Sequence, residues 1–445
     1  MAKPNILYIH SHDTGRFIQP YGYPVSTPNL QRLAEEGVVF RQAFCEGPTC
    51  SPSRAALLTG QCPHANGMLG LAHRGSRLND YGRHIVHTLR RVGYTSYLCG
   101  HQHIIASDQV QDIGYDQVVT AQADQAHDQA TRLLDSGPSE PFFLSVGFFE
   151  THRPFPPQRR LDDPRYVQPW PLFPDKPQTR EDVARYHTRV HTLDEKMGMV
   201  FDALDHSPLA DRTLVVCTTD HGVAFPSMKC TLRDSGTGVM LILRGPGGAT
   251  GGRVCDTMVS HLDLYPTLCD LTGAPRPDWL EGESLVPLLH GERATLHEAL
   301  FSEINLHAAA DPQRAVRTNR WKYIRRYGEY PRTVLPNVDP GLTRDLWVEH
   351  GWGGMERPRE EIYDLIFDPL ERNNLAGDPE YASVQQDLVD RLTDWMTRTR
   401  DPLLEGRLQI PVGIRLAPPD AASLGKTDFV YEGSEDDERA WRGLG

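Results

Sequence analysis

No stretch of 18 consecutive apolar residues occurs in the 445-residue chain, which excludes a conventional membrane-spanning helix. The opening residues, Met-Ala-Lys-Pro-Asn-Ile-Leu-Tyr-Ile, lack the long apolar core and the cleavage site of a secretory leader. The expectation is a soluble cytoplasmic protein with no membrane partner. Positive charge is scarce as well: 46 Lys and Arg against 59 Asp and Glu give a formal net charge of −13. A nucleic-acid surface needs a basic face to displace counterions, so that partner class is excluded. A small anionic substrate is not, because a local pocket of cations can override the global sign. Cysteine pairs are missing too. The eight cysteines, at 45, 50, 62, 99, 217, 230, 255 and 269, are scattered with no C-x-x-C, which fits reduced thiols better than a disulfide framework.

What the chain does have is a series of short apolar runs that break off into polar turns rich in His and Asp. Pro4 to Ile9 is followed by His10-Ser-His-Asp13, and Gly93 to Gly100 by His101-Gln-His103. Pro141 to Glu150 discharges into Thr151-His152, and Asp211 to Thr219 into Asp220-His221-Gly222. Continuous apolar runs of this length read as strands buried on both faces of a parallel sheet. The expected fold is α/β: a doubly wound, mostly parallel sheet with helices on both faces over residues 1–300. A smaller C-terminal α+β domain with an antiparallel sheet, a final helix and an acidic, mobile tail is expected over 301–445. In open α/β sheets, ligands gather outside the carboxyl ends of the strands, which places Asp13 and the Asp220-His221 pair where a metal would be held. For His12 a surface turn position and a ligand role both fit.

The clearest helix is predicted over residues 182–205, where Val183, Tyr186, Val190, Leu193, Met197, Val200 and Leu204 step by threes and fours. His187 and His191 are spaced to share a metal but flank the buried stripe, which makes packing the better reading. The preceding residues 153–177 hold eight prolines without periodicity and read as a lid or rim. Ala315 to Arg326 alternates apolar and charged residues, the pattern of an antiparallel strand with one solvated face. A last helix is expected near 381–398.

The most informative stretch is Cys50-Ser-Pro-Ser-Arg54-Ala-Ala-Leu-Leu-Thr-Gly60. Pro52 can open a helix, since its fixed φ suits the first turn and its missing N–H would be unpaired there. Cys50 then lies just ahead of a helix N-terminus, where free N–H groups and the helix dipole favour an anion. Arg54, about one turn in, adds a permanent cation that can fork onto oxygen anions.

This stretch resembles the signature of the type I, formylglycine-dependent sulfatases of the alkaline-phosphatase-like superfamily, and the resemblance spans nearly the whole chain. Pro63-His-Ala-Asn-Gly-Met-Leu-Gly70 and His73-Arg74-Gly75 resemble the heparan N-sulfatase (sulfamidase) branch, with His73 and Arg74 read as solvated loop residues. The resemblance implies that Cys50 is oxidised by a formylglycine-generating enzyme, and that one hydroxyl of the hydrated aldehyde attacks sulfur while the other later expels sulfate. It implies a divalent metal held by Asp13, Asp220, His221, His12 and residue 50. Arg54 and Lys229 would neutralise the sulfuryl oxygens, His152 would assist the leaving group and His103 would be a candidate base. Two positions depart from the family pattern. His12 replaces the first of two adjacent acids, and His101 replaces a lysine, exchanging a permanent cation for one expected to titrate near neutrality.

Calcium is the metal that the resemblance implies, yet imidazoles at 12 and 221 suit manganese, zinc or iron. The expected activity is hydrolysis of a sulfate ester or N-sulfate of a sugar. A phosphonate monoester or phosphodiester hydrolase of the same superfamily is one alternative, and a non-catalytic carbohydrate-binding relative is another.

Overall fold

The computed structural model describes residues 3–423 and 425–443. Its centre is an eight-stranded sheet built from β1 (Asn5–His10), β2 (Val38–Phe44), β3 (Thr95–Gly100), β4 (Gln117–Thr120), β5 (Phe142–Gly147), β6 (Thr213–Thr218), β7 (Leu241–Arg244) and β8 (Arg253–Ser260). The strand order is β4-β3-β5-β1-β6-β7-β2-β8. β1 pairs in parallel with β5 on one side and β6 on the other, and β3 runs parallel to β5. Only β7 runs against its neighbours, β6 and β2. The sheet is therefore mostly parallel, as its apolar runs require.

Every residue of β1, β5 and β6 is buried. Ile6, Tyr8, Leu214 and Val216 join one core cluster, while Leu7, Ile9, Val215 and Cys217 join another on the opposite face. That alternation is the period-2 geometry of a strand covered on both sides. The long helix Pro177–Asp205 covers the second face with Val183, Tyr186, Val190, Leu193, Met197, Val200 and Leu204. It starts five residues before the predicted boundary at 182, because Pro177 occupies its first turn, where a missing N–H costs nothing. The Tyr186 hydroxyl donates to the Thr14 carbonyl at 3.1 Å, so this helix also fixes the turn after β1.

A second sheet, antiparallel and ordered β12-β11-β10-β9, consists of β9 (Leu300–Leu306), β10 (Ala310–Arg317), β11 (Trp321–Arg326) and β12 (Glu360–Asp364). Leu388, Leu392, Trp395 and Met396 of the helix Ala382–Thr399 pack on it. The segment 315–326, expected to be one strand, is a hairpin with its turn at 318–320. Its charges are only partly solvated, with Arg320 and Arg325 exposed. Arg314 beside it is wholly buried, paired with Glu303 at 3.1 Å and with Asp401, and Lys322 is buried 3.0 Å from Glu371. The alternation was legible, but sequence alone does not say whether a charged face meets water or buried carboxylates. The acidic tail is also more ordered than expected. Glu435–Arg442 forms a helix opened by a Ser434–Asp437 capping box, and its acids sit where the helix dipole favours them. Among the described residues, no helix is long and apolar enough to cross a membrane.

Candidate active site

The carboxyl ends of β3, β5, β1 and β6, adjacent in the sheet, deliver His101, His152, His12-Asp13 and Asp220-His221 to one place. Close backbone approach makes this possible. A Cβ on Gly147, the last residue of β5, would stand 1.9 Å from the His101 carbonyl oxygen, and one on Gly222 would stand 2.0 Å from that of Ser235. Side chains at either glycine would push the His101 turn or the Asp220-His221 turn away.

Cys50 begins the helix α1 (Cys50–Thr59) instead of preceding it, with Thr49 as N-cap. All ten residues of α1 are buried, and Gly60 stops the helix at φ 70°. Burial pushes the Cys50 thiol well above its ordinary range, against the pull of Lys229. The unmodified residue is therefore a neutral thiol, which suits a precursor better than a thiolate nucleophile.

Asp13 and Asp220 are fully buried, and one donor atom from each of His12, Asp13, Cys50, Asp220 and His221 lies within 4.8 Å of all the others. His12 Nδ1 stands 2.7 Å from Asp13 Oδ1 and 3.2 Å from Asp220 Oδ2. His221 Nδ1 is 2.9 Å from the Gly222 carbonyl, which can only accept, so the ring proton sits on Nδ1. Its Nε2 lone pair then faces Asp13 Oδ1 at 3.3 Å and Cys50 Sγ at 3.4 Å. An imidazole fixed by a carbonyl behind it, aimed at two buried carboxylates, is the arrangement of a metal ligand and its supporting shell. The donor set fits a divalent cation. Burial works to raise both carboxyls, but the permanent cations beside them outweigh it. Lys229 holds Asp13 far below its usual range, and Arg54 pulls Asp220 the same way.

The guanidinium of Arg54 donates to Asp220 Oδ2 at 2.9 Å and to the Ser11 carbonyl at 2.8 Å, and stands 2.7 Å from His10 Nδ1. Lys229 Nζ lies 3.0 Å from both Asp13 Oδ2 and Asp339 Oδ2. Burial alone would lower Lys229, yet these two carboxylates hold it well above its ordinary range. His152 Nε2 is 3.9 Å from Asp13 Oδ2, with Phe149 stacked on its ring at 4.5 Å.

His101 and His103 stand beside His12, with ring centroids 5.0 and 5.8 Å from it. The expected titration of His101 near neutrality is overturned: burial, reinforced by Arg54, holds it well below the ordinary histidine range. His101 is thus a neutral imidazole at neutral pH and does not replace a lysine's charge. His103 is held neutral in the same way, with positive φ, and its Nε2 is 2.8 Å from His73 Nδ1. His73 is exposed, as expected, and also borders the site through this contact. Arg74 is not solvated, being tied to Asp428 at 3.0 Å and to the Arg415 carbonyl at 2.9 Å. His187 is buried packing, and His191 bonds Asp162 at 2.9 Å and the Ser26 carbonyl at 2.9 Å.

Two neighbours escaped the sequence reading. His10 is the buried last residue of β1, where a histidine ending an apolar run was the available signal. Asp339, in an irregular segment 326 positions after Asp13, gave none. A cavity of about 750 Å³ opens beside Lys229, lined also by Arg233, Asn337, Trp347 and Arg357.

The chain belongs to the sulfatase family, hydrolases of sulfuric esters: residues 4–274 match that family. Residues 228–340 match the C-terminal region of N-sulphoglucosamine sulphohydrolase, which puts the chain beside the N-sulfatase branch. N-sulphoglucosamine sulphohydrolase of Homo sapiens is 30% identical over 462 residues, spanning 90% of this chain and 91% of that protein. An ulvan-active sulfatase of Formosa agariphila is 28% identical over 433 residues, spanning 92% of this chain and 83% of the relative. A solved 2-O GAG sulfatase has the same fold, with a TM-score of 0.71 at 23% identity over 92% of this chain and 95% of that one. Family membership implies a formylglycine and a divalent metal.

Proposed function

We propose that this sulfatase acts on a sulfated sugar, with an N-sulfate or a small sulfate ester as the group removed. The observation that carries the site assignment is the convergence of Cys50 Sγ, the His221 Nε2 lone pair and the carboxylates of Asp13 and Asp220 at the head of a buried helix. Residue 50, once converted to the hydrated formylglycine by a formylglycine-generating enzyme, supplies the nucleophile. The metal, held by Asp13, Asp220, His221 and His12 beside residue 50, would supply Lewis-acid polarisation of a sulfuryl oxygen. Nitrogen donors at 12 and 221 favour manganese, zinc or iron over calcium.

The chain's own groups do the rest. Arg54 and Lys229 are permanent cations fixed before substrate arrives, so they stabilise charge on the sulfuryl oxygens without reorganising. His152, part-exposed at the mouth, is placed to give a proton to the departing oxygen or nitrogen. His103, neutral and beside the site, is the candidate base, and neutral His101 orients rather than charges the oxygens. The cavity beside Lys229 is the place for the sugar. On this reading residues 1–300 form the catalytic domain, and 301–445 a smaller domain that contributes Asp339.

The test is mass spectrometry of the Cys50 peptide after co-expression with a formylglycine-generating enzyme, followed by a panel of N-sulfate, sulfate ester and phosphonate ester substrates. Conversion of the thiol together with preference for sulfate or N-sulfate supports the reading. An unconverted thiol would sink it, and faster turnover of phosphonates would reassign the site to phosphonate or phosphodiester hydrolysis.

A further inference from the structure

His12, His101 and His103 form a triangle of imidazoles at the carboxyl ends of β1 and β3. Their ring centroids are separated by 5.0 Å (12 to 101), 5.8 Å (12 to 103) and 5.1 Å (101 to 103). One nitrogen of each lies within 4.8 Å of one nitrogen of each of the others. Each ring also has one nitrogen shielded from solvent with no hydrogen-bond partner: His12 Nε2, His101 Nε2 and His103 Nδ1. A buried imidazole nitrogen without a partner is costly, and three in one place ask for a common occupant.

The remaining nitrogens define the tautomers. His12 Nδ1 faces Asp13 and Asp220, and His103 Nε2 faces His73 Nδ1 at 2.8 Å. A proton on His103 Nε2, donated to His73, leaves the His103 Nδ1 lone pair free, as in metal-bound histidines supported from behind. We propose that His12, His101 and His103 form a second metal site, taking a borderline cation such as zinc, with the His12 ring bridging the two centres as an imidazolate whose one N–H proton is released to solvent; His103 so bound no longer serves as a base. Three imidazoles with an open fourth position are a donor set for zinc or a neighbouring transition ion and a poor one for calcium. The ring of Phe149 walls the site, edge-on to His12 at 5.1 Å and to His101 at 5.2 Å. The open position would take water or an anionic oxygen.

This site does not depend on maturation of Cys50, so its test is separate from that of the activity. The full chain is loaded with zinc, dialysed against metal-free buffer and assayed for zinc by mass spectrometry, alongside His101→Gln and His103→Asn. Asparagine suits position 103, whose φ of 60° it tolerates. Expected are about two equivalents per wild-type chain and about one in each variant, with one zinc per site. A wild-type content of one or less overturns the proposal. So does a second equivalent that both variants retain, which would place that zinc elsewhere, as at the Cys62, His64 and Glu303 cluster.

Discussion

Arg54 Nη2 lies 2.9 Å from Asp220 Oδ2, joining the first turn-and-a-half of α1 to the turn after β6 inside the protein. The two side chains are 2% and 0% exposed, so neither charge is screened by water. The contact places the nucleophile's helix and the proposed metal ligands in one rigid unit, although 166 residues separate the partners.

Arg54→Lys tests that unit. A lysine keeps the charge but cannot reach His10, the Ser11 carbonyl and Asp220 together. The expected result is a drop in kcat on the order of 10²-fold with a smaller change in KM, the size seen when one preorganised donor to developing charge is removed. Equal kcat in steady-state assays of matured, metal-loaded protein would show that charge alone suffices at position 54.

Lys229 sits between two carboxylates, and its loss leaves buried Asp13 and part-buried Asp339 without their shared cation. Lys229→Met should destabilise the fold by about 3–5 kcal/mol, the usual cost of orphaning a buried charge. Asp339→Asn should recover part of that loss in the double variant. Urea unfolding of the four proteins gives the coupling energy, expected between about 0.5 and 3 kcal/mol. A coupling of zero would mean that Asp339 does not share the lysine.

The His191–Asp162 contact ties the proline-rich segment to the long helix. Burial lowers the His191 pKa, but the hydrogen bond and charge of Asp162 more than offset this and raise it above the ordinary histidine value. A raised folded-state pKa adds stability that is fully present below the unfolded value, about 6.5, and is lost as pH rises through the folded value. The wild type should therefore lose stability on going from pH 6 to pH 9 relative to Asp162→Asn. Parallel denaturation curves for the two proteins across that range would refute the pairing.

Much of the central sheet was readable because its strands are short, apolar throughout and each followed by a polar turn, which only a covered parallel sheet tolerates. Asp13, Cys50, Asp220 and His221 were readable for the same reason: they stand at strand ends or a helix start. Asp339 was not, since it reaches the site from an irregular segment with no periodicity. Nor was the neutrality of His101, because burial, not residue type, sets it. Lys322 shows the same blindness in the second sheet, where a charge that read as solvated is paired in the interior.

The donor set around residue 50 makes a prediction about the first metal that needs no turnover. Two carboxylates with imidazoles at 12 and 221 should bind manganese or zinc more tightly than calcium, since calcium prefers an all-oxygen shell. A ligand that binds only the folded chain stabilises it by RT ln(1 + [L]/Kd), about 2.7 kcal/mol at a hundredfold excess over Kd. Chelator-stripped protein should therefore show a lower Tm than metal-loaded protein. At equal free concentration, zinc or manganese should raise Tm more than calcium does. Because His12 and His221 are responsible for that preference, His221→Asn should narrow it by weakening zinc while leaving an oxygen donor for calcium. A calcium shift that matches or exceeds the zinc shift in the wild type would return the site to the hard-cation pattern and make His12 and His221 bystanders.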